Sequence, residues 1–168
     1  PAKLAALLRH PDMRVRLRAQ FSLAEDPANR TIFINAMGID EAVTTRLHGV
    51  WGLGNLARLK KDSGAAEALV KLCSDKDAKV RGQAVQALGD ASYKPALADI
   101  TQLLSDPDLR TRMLAAIATG KLGSKEQVPA LMAMVEENKD QDEYLRHGAI
   151  QGMIRIGDAD AVFAFAQS

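Results

Sequence analysis

Apolar residues recur along the chain three and four positions apart, which places them on one face of an α-helix. Each apolar stretch is followed by a short polar turn and by a second amphipathic stretch. The second stretch starts with a recurring element, an acidic residue followed by three variable residues and an arginine. Four copies are complete: Asp12–Arg16, Asp77–Arg81, Asp108–Arg112 and Asp142–Arg146. This pattern predicts a repeated helical hairpin.

A fifth copy of the element is degenerate. Arg46 stands in register, but Ala42 occupies the acidic position and Glu41 precedes it. With this copy included, successive arginines lie 30, 35, 31 and 34 residues apart. In most copies a small and then a large apolar residue follow the arginine at three and seven positions, as Ala84 and Leu88 do. The register predicts about five hairpins.

Such hairpins cannot bury their apolar faces alone, so they are expected to stack into one core in which each unit contacts its neighbours. The sequence therefore predicts an all-α protein, an α-α superhelix forming a single domain over residues 1–168. Leu53, Leu88 and Leu103 are expected to be buried in its core. The predicted repeats span about residues 1–26, 27–60, 64–93, 94–124 and 125–158, with a partial unit over 159–168.

The units resemble HEAT repeats. The resemblance lies in the segments DMRVRLRAQFSLA, DAKVRGQAVQALG and DLRTRMLAAIATGKLG, and it covers nearly the whole chain. It implies a solenoid of the HEAT/armadillo type. It says less about function, because this fold serves as a general interaction scaffold.

A narrower resemblance concerns the segment LLRHPDMRVRLRAQFSLAE and the later segment TRLHGVWGLGNLAR. Together they are similar to the HEAT segment of large exported bacterial proteins, where it links a sugar-dehydrogenase-like β-propeller to a cytochrome c domain. This resemblance implies an exported or periplasmic parent protein. It does not imply a redox activity for this chain, because this sequence contains neither a propeller nor a CxxCH motif.

Composition narrows the possible functions. Aromatic residues make up 4% of the chain, which favours helix over sheet, and the net charge of +1 provides no strong field for nucleic acid. The longest uncharged apolar stretch, residues 47–57, is shorter than the roughly 18 residues of a membrane span. The three histidines fall in different units, and the single cysteine, Cys73, occupies a core position. No catalytic residue, cofactor or metal is predicted.

The acidic–arginine element is interpreted as a structural ladder, in which each arginine reaches an aspartate of its own or the next unit. The alternative is an anion site built from five arginines, but unpaired arginines would make the chain strongly basic. Partly buried arginines also need acceptors. The predicted ladder residues are Asp12, Arg16, Arg46, Asp77, Arg81, Asp108, Arg112, Asp142 and Arg146.

Trp51, the sole tryptophan, lies in the same register column as Phe21. The helix around it contains three glycines (Gly49, Gly52 and Gly54), which imply close backbone packing or a bend and have a stability cost that simple stacking does not require. An exposed aromatic patch here would mark a partner contact. The alternative is that both rings tuck between the second helices of neighbouring hairpins. The candidate protein-binding residues are Phe21, His48, Trp51 and Asn55.

The leading prediction is a non-catalytic protein-interaction or spacer scaffold, a module of a larger multidomain protein. Its expected partners are protein domains or peptides, including other domains of the parent chain. One alternative is an accessory domain of a redox enzyme or chromophore lyase. The other is a nucleic-acid-binding HEAT-like protein, but only three of the seven candidate positions for it carry a cation. Those positions are Arg18, His48, Asn55, Gln83, Leu114, Lys121 and Arg155.

Overall fold

Residues 1–166 form eleven α-helices and no strand in the computed structural model, which describes these residues and their side chains through residue 164. The predicted all-α helical-repeat fold is confirmed. The helices are α1 (Ala2–Leu7), α2 (Met13–Leu23), α3 (Arg30–Ala36), α4 (Val43–Leu59), α5 (Ser63–Val70), α6 (Ala78–Asp90), α7 (Leu97–Gln102), α8 (Leu109–Leu122), α9 (Val128–Asn138), α10 (Glu143–Ile156) and α11 (Ala159–Ala166).

The helices pair into five hairpins. In each hairpin an odd-numbered helix, the first helix, packs against the even-numbered second helix that follows it. Each second helix also packs against the second helix of the next unit, so α2, α4, α6, α8 and α10 form a continuous row. Helix α11 packs against α9 and lies within the predicted partial unit, of which residues 167 and 168 are outside the described residues.

An aspartate immediately precedes four of the five second helices and caps the N-terminus of each. In each case a carboxylate oxygen accepts a hydrogen bond of 2.8 to 2.9 Å from a backbone N–H two or three residues later. Such a cap is worth about 1 kcal/mol, because it satisfies an N–H that has no partner within the helix. The exception is α4, which begins after Ala42 and has no side-chain cap. The capping residues are Asp12, Asp77, Asp108 and Asp142.

The buried residues agree with the predicted register more closely in the second helices of the hairpins than in the first helices. Leu53 and Leu88 are fully buried, as predicted. The prediction for Leu103 is wrong, because this side chain is only partly buried. Helix α7 ends at Gln102 and tightens into a 3-10 turn, and the tighter turn places Leu104 in the core instead.

The glycines of α4 allow close approach between helices. A Cβ atom at Gly52 would overlap the ring of Phe33 on α3, and one at Gly49 would lie 2.8 Å from the Phe33 carbonyl oxygen. At Gly54 it would lie 3.0 Å from the Cβ of Ala87 on α6. The close packing predicted from these glycines is therefore confirmed, and the interpretation that simple stacking does not require them is wrong.

Candidate protein-binding site

Two arginines of the second helices connect neighbouring units through bidentate ion pairs. Arg81 forms a bidentate pair with Asp106, with Nε and Nη2 donating to the two carboxylate oxygens at 2.7 and 2.8 Å. Arg46 is 2% exposed and also forms a bidentate pair, with Nη1 and Nη2 donating to the Asp75 carboxylate while Nε donates to the carbonyl oxygen of Met37. Both carboxylates lie two residues before the cap of the next second helix. These two pairs join the second, third and fourth units.

The other three arginines have different partners. Arg112 donates through Nη2 to Glu137 of the following first helix at 3.0 Å. Arg146 pairs with Asp140 in the turn of its own unit. Arg16 donates to two turn carbonyls of its own unit, and within residues 1–166 it forms no ion pair. The five arginines are thus used structurally, but not through one repeated contact.

The prediction that the four aspartates of the repeated element pair with the ladder arginines is wrong. These aspartates (Asp12, Asp77, Asp108 and Asp142) cap their own helices, because a carboxylate at a helix start lies within reach of the free N–H groups there. Of the arginines four residues later, Arg81 and Arg112 reach the next unit, and the other two bond within their own. Arg46 also has its ladder partner although Ala42 replaces the capping aspartate, so the second unit departs from the pattern only at its cap.

Three of the four candidate binding residues line one open hollow between α2, α4 and α6. This Phe21 hollow has a volume of about 390 Å³ and is lined by Phe21, Trp51 and Asn55, among others. Phe21 is 55% exposed. Trp51 is half-buried, and its Nε1 donates a hydrogen bond of 2.6 Å to Oε1 of Gln83 on α6. The hollow therefore combines an exposed aromatic ring with a tryptophan held in a fixed orientation.

The prediction that His48 belongs to this contact surface is wrong. His48 is 2% exposed, and its Nδ1 lies 2.7 Å from Oε1 of Gln20 on α2. Its ring meets the Trp51 ring edge-on, with 5.0 Å between centroids and 86° between planes. Burial, and secondarily the charge of Arg16, lower the pKa of His48. His48 thus supports Trp51 from the interior.

A second hollow lies on the other side of Trp51, between α4, α6 and α8. This Leu47 hollow has a volume of about 380 Å³. Trp51 and Gln83 line both hollows, so their hydrogen-bonded pair forms the wall between them. The side chains that define the Leu47 hollow are Leu47, Trp51, Lys79, Gln83, Arg110 and Leu114.

Two cations at the Leu47 hollow escaped the sequence analysis. Lys79 and Arg110 each stand two residues before a ladder arginine, at the same position of the repeat, and both are exposed. Comparing the charged residues at equivalent positions of the repeats, instead of considering only the net charge, would have identified these two residues. The role of Gln83 as the partner of Trp51 had no comparable signal, because the bond joins residues 32 apart in sequence.

The described residues offer little reactive chemistry. Burial raises the pKa of the Cys73 thiol to about 12, so this thiol is protonated and poorly nucleophilic at neutral pH. Within the described residues, no group of three or more His, Cys, Asp or Glu side chains is placed to hold a metal ion. No helix in the same region combines the length and apolar character needed to cross a membrane.

Stacked hairpins joined through arginine pairs define the chain as an α-solenoid of helical repeats. The sequence profile described as HEAT repeats matches residues 1–89 and 66–154. Because these ranges cover most of the sequence, the chain belongs to the HEAT repeat family. None of the curated proteins compared with the chain matches it significantly.

Solved structures show the same fold. An engineered protein is 20% identical with a TM-score of 0.64, and the match covers 98% of this chain and 84% of that one. The complex of CpcE and CpcF of phycocyanin lyase from Nostoc sp. PCC7120 gives 18% identity, a TM-score of 0.68, and coverages of 94% and 65%. A designed armadillo repeat protein in complex with peptide (KR)4 is 19% identical with a TM-score of 0.61, and the match covers 98% of this chain and 86% of that one. At these identities the likeness concerns the fold alone.

Proposed function

We propose that the chain is a non-catalytic protein-interaction scaffold that docks a protein segment on the row of second helices, centred on Trp51. The observation that carries this proposal is the Phe21 hollow, where an exposed Phe21 faces a Trp51 fixed by Gln83. Aromatic anchors at the centre of a concave surface supply a large share of the energy of protein interfaces. Asn55 adds a carboxamide that can both donate to and accept from a peptide backbone.

The fold also supports this use. Second helices in a continuous row bring side chains from three successive units to one hollow, so a bound segment can contact several repeats at once. One of the similar structures is a designed repeat protein with a bound peptide. The partner can be another domain of the parent chain, as in the propeller–cytochrome proteins whose HEAT segment this sequence resembles.

A role beside a chromophore lyase is the second candidate. Its support is the structural likeness to CpcE and CpcF of phycocyanin lyase. In that case the scaffold would hold a protein substrate or a partner subunit, again on the row of second helices. Both candidates therefore predict the same docking surface and differ in the partner.

Selection from a phage-displayed random peptide library on the folded chain tests the docking surface. Binding of a selected, tryptophan-free peptide can be followed through the fluorescence of Trp51, the only tryptophan. We expect Phe21→Ser to weaken binding by about tenfold or more, because the truncation removes an aromatic anchor. The matched control is Ile39→Ser, which alters an apolar residue of similar exposure in the α3–α4 turn.

Equal loss of affinity in both variants, or none in either, would place the selected peptides elsewhere and contradict the proposed surface. Circular dichroism and the unfolding midpoint show whether each variant keeps the fold.

A further inference from the structure

Charge is distributed unevenly between the two layers of the solenoid. The net charge of the chain is only +1, yet helices α2, α4, α6 and α8 carry lysines and arginines with a single acidic residue, Asp90. Much of the compensating acidic charge lies in the turns and first helices, where Asp75, Asp106 and Glu137 pair with ladder arginines. The row of second helices is therefore basic although the chain is nearly neutral.

The cations around the two hollows have no carboxylate partner of their own. Arg58 lines the Phe21 hollow, and Lys79 and Arg110 line the Leu47 hollow. All three are exposed and form no ion pair within the described residues. The acidic residue of each hollow is already engaged, since Asp90 pairs with a lysine of α8 and Asp108 caps α8. Both hollows thus offer positive charge beside apolar surface.

We propose that the hollows on either side of Trp51 bind a protein segment in which apolar residues are flanked by acidic ones. The proposal rests on the scaffold function above and names the chemistry of its partner. An apolar side chain enters the Leu47 hollow against Leu47 and Leu114, while flanking carboxylates pair with Lys79 and Arg110. Such pairs set orientation and partner choice as well as the rate of association.

The spacing of the two cations suits an extended segment. Lys79 on α6 and Arg110 on α8 hold equivalent positions in neighbouring units. Packed helices lie about 8–10 Å apart, and a chain extended in the polyproline II conformation covers about 9 Å in one turn of three residues, so side chains three positions apart point to the same side. Two acidic residues three positions apart, with apolar residues between them, therefore match this part of the surface.

Nucleic acid fits the same surface less well. Affinity for a phosphate backbone comes from many cations, but Arg46, Arg81 and Arg112 are tied to carboxylates of the protein. Binding of single strands also needs aromatic rings on which successive bases stack. Between α2 and α8 the second helices carry two aromatic residues, Phe21 and Trp51, and the indole N–H of Trp51 is bonded to Gln83.

Titration of the whole chain with three labelled peptides tests the proposal. The first contains repeated Glu-Leu-Leu-Glu units, the second has lysine in place of glutamate, and the third has serine in place of leucine. We expect the first to bind at least about tenfold more tightly than either of the others, because only it matches both the charge and the apolar surface. Trp51 fluorescence reports binding at the wall between the hollows.

Charge reversal then locates the contact. We expect the double variant Lys79→Glu, Arg110→Glu to bind the first peptide about tenfold or more weakly, since repulsion replaces attraction. The matched control is Lys71→Glu, Lys94→Glu, which changes the net charge equally through two exposed lysines on the first-helix side. It should bind within about twofold of the unaltered chain, because distant exposed charges are screened. Lys79→Gln, Arg110→Gln replaces the reversed variant if that variant does not fold.

Equal or tighter binding of the lysine peptide would overturn the proposal, and so would equal effects of the two double variants. Tighter binding of a single-stranded DNA oligonucleotide than of the acidic peptide would assign the surface to nucleic acid instead. Library peptides that bind at Phe21 but lack acidic residues would contradict this inference and leave the scaffold function standing. Library peptides insensitive to Phe21→Ser would contradict the scaffold surface itself.

Discussion

At the scale of single residues, a buried polar contact holds the proposed anchor in place. Trp51 is fixed on its outer edge by Gln83, while its ring rests against the edge of His48. His48 is held in turn by Gln20 of the preceding second helix. A neutral His48 suits this site, because burial and the nearby Arg16 both oppose its protonation. The orientation of Trp51 is thereby linked to the protonation state of an interior side chain.

This linkage predicts that stability depends on pH through His48. In the unfolded chain the histidine takes up a proton near pH 6.5, but in the folded chain its pKa is lower. Between the two pKa values the unfolded state binds more protons, so the free energy of unfolding falls as the pH drops below about 6.5. Urea unfolding measured between about pH 7.5 and pH 5.5, followed by Trp51 fluorescence, should show this decline.

The variant His48→Gln should flatten the decline, since glutamine does not titrate. His147→Gln, at an exposed histidine, should leave it as steep as in the unaltered chain. An unchanged pH profile in His48→Gln would mean that another group is responsible.

At the scale of helices, arginines at equivalent positions of the repeat contribute differently to the free energy of unfolding. Burial alone would raise the pKa of Asp106, but hydrogen bonds from Arg81 and from the Asp108 amide outweigh it and lower the pKa. Asp106 is therefore ionised at neutral pH although its side chain is 3% exposed. The partner of Arg112, Glu137, is 66% exposed and can be solvated by water. Of these two arginines, only Arg81 neutralises a buried carboxylate.

Alanine substitutions should separate the two cases. Arg81→Ala leaves a buried carboxylate unpaired and is expected to lower the free energy of unfolding by about 3–5 kcal/mol. Arg112→Ala loses an ion pair whose carboxylate is largely exposed, worth about 0–1 kcal/mol, and one hydrogen bond to the carbonyl oxygen of Leu104 worth about 1 kcal/mol. Denaturant unfolding of both variants at neutral pH gives the comparison. Equal losses would show that the Arg81–Asp106 pair is not buried in solution.

The helices were predictable from sequence because their signals are local. Each copy of the repeat contains its own apolar face, aspartate cap and arginine, so the hairpins follow from spacing along the chain. Partners across units are not local. Nothing near Arg81 in sequence distinguishes the capping aspartates from Asp106, which the stacking of the next hairpin brings into reach.

The candidate site was predictable in part for the same reason. A shared register column brought Phe21 and Trp51 together in the sequence analysis, and adjacent second helices place both at one hollow. Register alone could not show that His48 faces α2, because its burial depends on how closely α4 approaches its neighbours. That approach is set by contacts such as Gly52 against Phe33, which lie on different helices.

At the scale of the whole molecule, the last helix in the row of second helices differs from the four before it. Eight residues after the ladder arginine the first four units have small side chains, which let the next second helix approach. These residues are Ala24, Gly54, Gly89 and Gly120. In α10 the same position is Ile154, and it is 66% exposed. The last second helix thus presents a bulky apolar side chain where its predecessors present a close contact.

Ile154, Ile150 and Phe163 are exposed and line one apolar surface depression, and contiguous exposed apolar surface promotes association. We expect the chain to self-associate with rising concentration and Ile154→Lys to reduce this. Because position 154 is exposed and near the C-terminal end of a helix, where a cation is favourable, the free energy of unfolding of this variant should differ from that of the unaltered chain by less than about 0.5 kcal/mol.

Ile39→Lys, at an exposed isoleucine in a turn, is the matched control and should associate like the unaltered chain. Sedimentation velocity over a range of concentrations measures the difference. A chain that stays monomeric throughout, or one whose association both variants reduce equally, would show that this patch does not drive contact between molecules.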